Sequence, residues 1–180
     1  MEPQPRMSRS DPSQQTVELA PALMGGQGDA VAEWQGKRVF VPFALPGERV
    51  RAVLQPRTGG ELTATHLEVL AESPDRFVPP CGHFGICGGC KLQHWAEAPY
   101  RAWKIDLVRN ALRQHGVDMP ANVDSVFVPA ATRRRAEFAA LKQGGQVQLG
   151  FHAARSDAIV DQQQCPILAP ALERFVPPLR

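Results

Sequence analysis

The sequence predicts a mainly β protein with one or two helices, an α+β chain that opens on a small OB-like barrel. Three observations predict it. Short apolar–polar alternations, punctuated by glycine and proline, run from Thr16 to about Leu70. Only one stretch, between Pro99 and Gly116, carries a helical period. A further alternating run lies on each side of Lys142-Gln-Gly-Gly145, which is a hairpin signal for a small antiparallel sheet.

The elements follow in order. Residues 1–15 are Pro, Ser, Gln and charge with almost nothing to bury, and are expected to be disordered. Thr-Val-Glu-Leu-Ala from Thr16 is a candidate strand, and Gly25-Gly26-Gln-Gly28 turns after it. Ala30 to Trp34 and Arg38 to Val41 flank Gln35-Gly36, a tight hairpin. After the Leu45-Pro46-Gly47 turn, Arg49 to Gln55 places Val50, Ala52 and Leu54 on one face. Arg57 to Gly60 turns again, and Leu62 to Leu70 completes five strands, the size of an OB-type barrel. Such barrels often bind single-stranded nucleic acid, yet Trp34, Phe40 and Phe43 are expected in the core or at the rim rather than as stacking platforms. Pro99 suits a helix start and Gly116 a stop, with Tyr100, Trp103, Leu107, Val108, Ala111 and Leu112 on one face. Strands are then expected at Val123 to Val128, Arg133 to Leu141 and Gln146 to Phe151, with Phe138 facing the second strand of the hairpin.

Four cysteines are present: Cys81, Cys87 and Cys90 within a glycine-rich loop, and Cys165 far downstream. Three clustered thiols and one remote thiol are a pattern of iron–sulfur and other metal sites, in which the last ligand ties two segments together. An even number also permits two disulfides. Against these stand the lack of an apolar signal segment at the N-terminus and of any run long enough to cross a bilayer, since a cytoplasmic protein keeps its thiols reduced or metal-bound. A local zinc site from Cys81, Cys87, Cys90 and His94 would leave Cys165 free. Spacing alone does not choose between these metals.

At 180 residues with 43% hydrophobic content, the chain holds one large or two small domains, and its 17 prolines indicate many loops. The net charge of +2 hides an asymmetry. Arg101 to His115 and Arg133 to Lys142 are each strongly positive and the remainder is negative, which points to an anionic partner for the second half. Arg133, Arg134 and Arg135, at a strand entrance, are the candidate RNA contacts.

Four passages together resemble the N-terminal half of bacterial 23S rRNA (uracil-5-)-methyltransferases, which couple a TRAM domain to a 4Fe-4S cluster. They are Phe40 to Val50; Ser73-Pro-Asp-Arg76 leading into Cys81…Cys87-Gly-Gly-Cys90-Lys-Leu-Gln-His94; Thr132 to Arg135; and Leu149 to His152 with Ile159 to Asp161, ending at Cys165-Pro-Ile-Leu168. The resemblance implies a TRAM domain over 16–72, a cluster loop over 73–98 and a partial central domain over 99–180. It makes Cys81, Cys87, Cys90 and Cys165 the cluster ligands and excludes His94. It implies ribosomal RNA as partner, a cytoplasmic location and no membrane. The chain departs from that pattern in one large respect. Uracil C5 methylation needs a thiolate to attack C6, a base for the C5 proton, and S-adenosylmethionine as methyl donor. No fifth cysteine and no Gly-x-Gly-x-x-Gly loop are present. The expectation is an RNA-binding, cluster-carrying part of the enzyme that does not catalyse alone, its methyltransferase domain separately encoded or lost. A stand-alone RNA-binding module with a structural metal site is the alternative, and a ferredoxin-like electron carrier ranks last.

Overall fold

The computed structural model describes residues 16–180, so the expected disordered tail over 1–15 lies outside the described residues. The chain divides into two units, one ending at Pro74 and one beginning at Asp75.

In the first unit, alternation builds one sheet. Strands β1 (Thr16–Leu19), β2 (Leu23–Met24), β3 (Ala30–Trp34), β4 (Lys37–Val41), β5 (Arg49–Pro56) and β6 (Leu62–Ala71) lie in the order β1-β5-β6-β4-β3-β2. All pairs are antiparallel except β4 with β6. Register puts like with like. Val17 faces Ala52, Leu19 faces Val50, Ala30 faces Val41 and Ala32 faces Val39, and all eight are buried. A slip of one residue would turn each of these sets to solvent, so the core itself fixes the pairing. Gln35 and Gly36 have φ of 50° and 73°, the left-handed pair that a two-residue hairpin requires. The Leu45 to Glu48 turn is closed by a buried carboxylate: Glu48 Oε2 accepts from Leu45 N–H at 2.8 Å and Oε1 from Ser73 N–H at 3.4 Å. Trp34, Phe40 and Phe43 are half-buried, as expected of rim residues. The two-residue strand β2 has too little sequence to be read in advance.

The second unit holds α1 (Glu97–Gln114), the antiparallel sheet β7 (Ala139–Gln143), β8 (Gln146–His152) and β9 (Ile159–Asp161), and the short helix α2 (Pro170–Glu173). Helix α1 ends as Gly116 invites, with Gly116 at φ 71° and Val117 N–H donating back to the Leu112 carbonyl. Its apolar period is real, yet no residue of α1 is buried.

One expected strand does not form and another is shortened. Residues Val123 to Val128 pair with nothing, and Val126 is 91% exposed. The strand expected from Arg133 begins only at Ala139, and Arg133 makes a single parallel bridge to Leu168. An alternating pattern supplies a face but not a neighbour, and here the neighbouring chain meets this segment at one residue only. Further along, the hairpin follows the sequence. Gly144 and Gly145 take φ of 58° and 85°, and Phe138 packs edge-on against Phe151 with ring centres 4.8 Å apart. Leu149, Cys165, Leu168 and Val176 form the core of this unit, with Phe138, Phe151, Ile167 and Leu172 against it.

The units differ in how well they are filled. Of the buried hydrophobic residues twelve lie in the first unit and five in the second, while of the large apolar side chains left exposed one lies in the first and eleven in the second.

Candidate metal centre

The cysteine loop is tied to the hairpin by backbone hydrogen bonds. Gly88 N–H donates to the His152 carbonyl at 2.9 Å, Ala154 N–H to the Ile86 carbonyl at 3.1 Å, and Cys87 bridges Ala153. Glycine is obligatory at two of these approaches. A Cβ on Gly88 would stand 2.9 Å from the His152 oxygen, and Gly85 holds φ at 87°. A second tie runs from Gln163 N–H to His83 Nε2 at 3.3 Å; since Nε2 accepts there, the proton of a neutral His83 sits on Nδ1. It links the loop to the segment carrying Cys165.

All four cysteines, each a free thiol, line one pocket, joined by His83, Phe84, Gln93, Phe151 and Gln162. Neither disulfide is formed. His94 is not among the lining residues; it is fully buried with its ring centre 5.1 Å from that of Phe84. Among the described residues no group of three or more His, Cys, Asp or Glu side chains is arranged to hold a metal ion.

The sulfurs are surrounded by donors. Gly89 N–H reaches Cys87 Sγ at 3.4 Å. Burial pushes the Cys90 thiol up, against a hydrogen bond from Gln93 and the charge of Arg133, which pull it down. Burial likewise pushes Cys165 up, opposed by hydrogen bonds from the Ile167 and Leu168 backbone. Thiols held protonated by burial but provided with N–H donors and a cation suit an anionic sulfur site better than an apolar core. Four thiols lining one pocket are the donor set that an iron–sulfur group held by four thiolates would need.

The arginines separate in the structure. Arg133 N–H donates to the Ile167 carbonyl at 3.0 Å and its own carbonyl accepts from Ala169 N–H at 2.9 Å, which puts it beside the Cys165 segment. Arg133, Arg134 and Arg135 are all exposed. On α1, Arg101 pairs with Glu97 and stacks 4.4 Å over Phe127, and Arg109 pairs with Asp106, so much of that positive charge is spent locally. Sequence reading missed Gln93, Gln162 and His83 as pocket residues. Their place beside the cysteines, within or one turn beyond the loop, was the one available signal.

Comparison with known proteins gives the context. No family model matches the chain. An uncharacterized RNA methyltransferase of Caulobacter vibrioides is 43% identical over 159 residues, covering 87% of this chain and 37% of the relative. The 23S rRNA (uracil(1939)-C(5))-methyltransferase of Halomonas elongata is 40% identical over 178 residues, 97% of this chain and again 37% of the relative. The chain is a relative of RNA methyltransferases. It spans little more than a third of the length of the curated relatives it matches. In fold it is similar to the Pyrococcus abyssi tRNA (uracil-54, C5)-methyltransferase crystallised with S-adenosyl-L-homocysteine, with a TM-score of 0.58 at 22% identity, covering 89% of this chain and 35% of that one. Among the described residues no helix is long and apolar enough to cross a membrane.

Proposed function

We propose that this chain is the RNA-binding, 4Fe-4S-carrying part of an S-adenosylmethionine-dependent rRNA uracil-C5 methyltransferase acting in the cytoplasm. The first unit is its TRAM domain, and Cys81, Cys87, Cys90 and Cys165 hold the cluster. The observation that carries this reading is that every cysteine of an RNA-methyltransferase relative, including the remote Cys165, lines a single pocket. When bound, the cluster supplies thiolate–iron bonds that cross-link the loop to the Cys165 segment. With all four thiols in that pocket, none is left to attack uracil C6. The nucleophile, the base and the S-adenosylmethionine site belong to the length of the relatives that this chain does not span, in cis or in a separate partner.

Anaerobic purification with iron, zinc and acid-labile sulfide assays on one sample tests the reading. About four irons and four sulfides per chain support it; one zinc without sulfide overturns the cluster and leaves a zinc-stapled RNA-binding module. For RNA, the candidates are Arg133, Arg134 and Arg135, all exposed. Replacing Arg133 and Arg135 with alanine should lower the salt dependence of ribosomal-RNA binding by about one to two ionic contacts. An unchanged slope would reduce them to surface charge.

A further inference from the structure

We propose that Gln162 and Glu173 are positioning residues of the metal centre: together they clamp the peptide that precedes Cys165 and hold this remote ligand in place before anything binds. The inference rests on the reading of the pocket as a thiolate site for a metal group. It goes beyond that reading by naming what presets the fourth thiol.

The two side chains grip one peptide plane from opposite ends. The Gln162 side-chain N–H donates to the Gln164 carbonyl, and Glu173 Oε1 accepts from Cys165 N–H at 3.2 Å. That carbonyl and that N–H belong to the same planar unit, so the two bonds fix its rotation and with it the point from which the Cys165 side chain departs. Both grips stand on anchored backbone. Gln162 N–H donates to the Leu149 carbonyl at 2.8 Å, and the Gln162 carbonyl accepts from Arg180 Nη2 at 2.6 Å. Glu173 is brought back over Cys165 by two turns: Leu168 N–H donates to the Cys165 carbonyl at 3.0 Å, and Glu173 N–H to the Ala169 carbonyl at 3.1 Å. Packing alone would select neither side chain. Gln162 is 1% exposed and lines the pocket, yet its Oε1 is buried without a partner among the described residues, a cost that an apolar side chain would avoid. Glu173 sets an acidic group close to where thiolates would gather negative charge, which is unfavourable unless its oxygen is needed at the Cys165 N–H. Cys81, Cys87 and Cys90 share one short loop, whereas Cys165 comes from far along the chain. Ordering it in advance removes a cost of assembly that metal binding would otherwise carry.

The test compares the full wild-type chain with Glu173→Ala, Glu173→Gln, Gln162→Leu, the Glu173→Ala/Gln162→Leu pair and, as control, Glu137→Ala at an exposed carboxylate of the same unit. All are purified anaerobically. Release of the bound metal is followed with a chromogenic chelator, and exchange of the Cys165 amide is followed in the metal-free chain. Glu173→Ala should release metal about tenfold to hundredfold faster, the range usual for groups that orient a ligand, and its Cys165 amide should exchange faster. Glu173→Gln keeps an acceptor oxygen and should lie near wild type on both readouts, which also guards against a folding defect in the alanine variant. Gln162→Leu should release faster too, and the pair by less than the product of the single effects, because both residues hold one peptide. Release from Glu173→Ala at the rate of wild type and Glu137→Ala overturns the inference. So does release from Glu173→Gln as fast as from Glu173→Ala, which would make the effect one of charge rather than of the hydrogen bond. A wild-type chain with one zinc and no sulfide overturns the cluster but not the clamp, which the zinc release rates still decide. A wild-type chain that holds neither metal overturns both.

Discussion

Replacing Cys165 separates two roles that this side chain combines. It is 6% exposed and sits in the core with Leu149, Leu168 and Val176, and it also faces the pocket shared with Cys81, Cys87 and Cys90. In the metal-free protein, Cys165→Ser puts a hydroxyl where a weakly polar thiol stood. Burying a hydroxyl without a partner costs about 1–3 kcal/mol on mutational scales. The Ile167 and Leu168 N–H groups that already donate to the sulfur can donate to the new oxygen, so the low end, about 1 kcal/mol, applies. In a unit of this size that lowers the melting temperature by about 4–8 °C. Cys165→Ala, which introduces no polar atom, should cost a comparable amount through lost packing. In the loaded protein the loss should be much larger for both variants, because metal binding to the native state alone is folding free energy. Limited proteolysis of the segment from Arg133 to Phe151, with and without metal, reads this directly. Protection should fall sharply in the loaded variants relative to loaded wild type, and only slightly between the metal-free proteins. If Cys165→Ser kept full metal content and unchanged protease resistance, Cys165 would not be a staple and the ligand set would be wrong.

Three further outcomes follow from the geometry. A Cβ on Gly150 would lie 2.0 Å from the Val160 carbonyl oxygen, so Gly150→Ala should part β9 from β8 and expose the Ile159 to Asp161 amides to fast hydrogen exchange; retained protection would show that β9 shifts without loss. Glu48→Ala removes the acceptor of two backbone N–H groups in the first unit and should cost about 2 kcal/mol in urea unfolding, with Ser73 released from the turn. Asp161 bonds Arg180, which holds its carboxylate below the usual range, aided by Leu149 N–H. A depressed folded value means that its stabilisation is complete above the ordinary carboxylate pKa and is lost as pH falls through the lower one. Acid titration should therefore release the C-terminal segment first, and Asp161→Asn should remove that step.

The first unit was legible because each of its strands carries its own evidence. Val39 and Val41 alternate with Arg38 and Phe40, and Gln35-Gly36 can turn in few other ways. The second unit was legible only in part. Val126 and Val128 alternate as strand residues do, but pairing depends on a neighbour that no local pattern names. Strand β9 is three residues long, and α2 four, too short to carry a period. Of the site, count and spacing marked the cysteines as metal candidates but left His94 as an alternative to Cys165, and only the family resemblance chose between them. That the Arg133 backbone bonds Ile167 and Ala169 was not legible, since those residues lie far along the chain.

The uneven filling of the two units also governs how the protein behaves as a material. Val78, Val126 and Val128 are 82%, 91% and 74% exposed, and so much apolar surface on the second unit favours contact between copies as concentration rises. Sulfate and phosphate, which are excluded from protein surfaces, should drive that self-association, while the first unit, with its apolar side chains already inside, stays indifferent. Light scattering in sulfate against chloride would therefore report on the second unit alone.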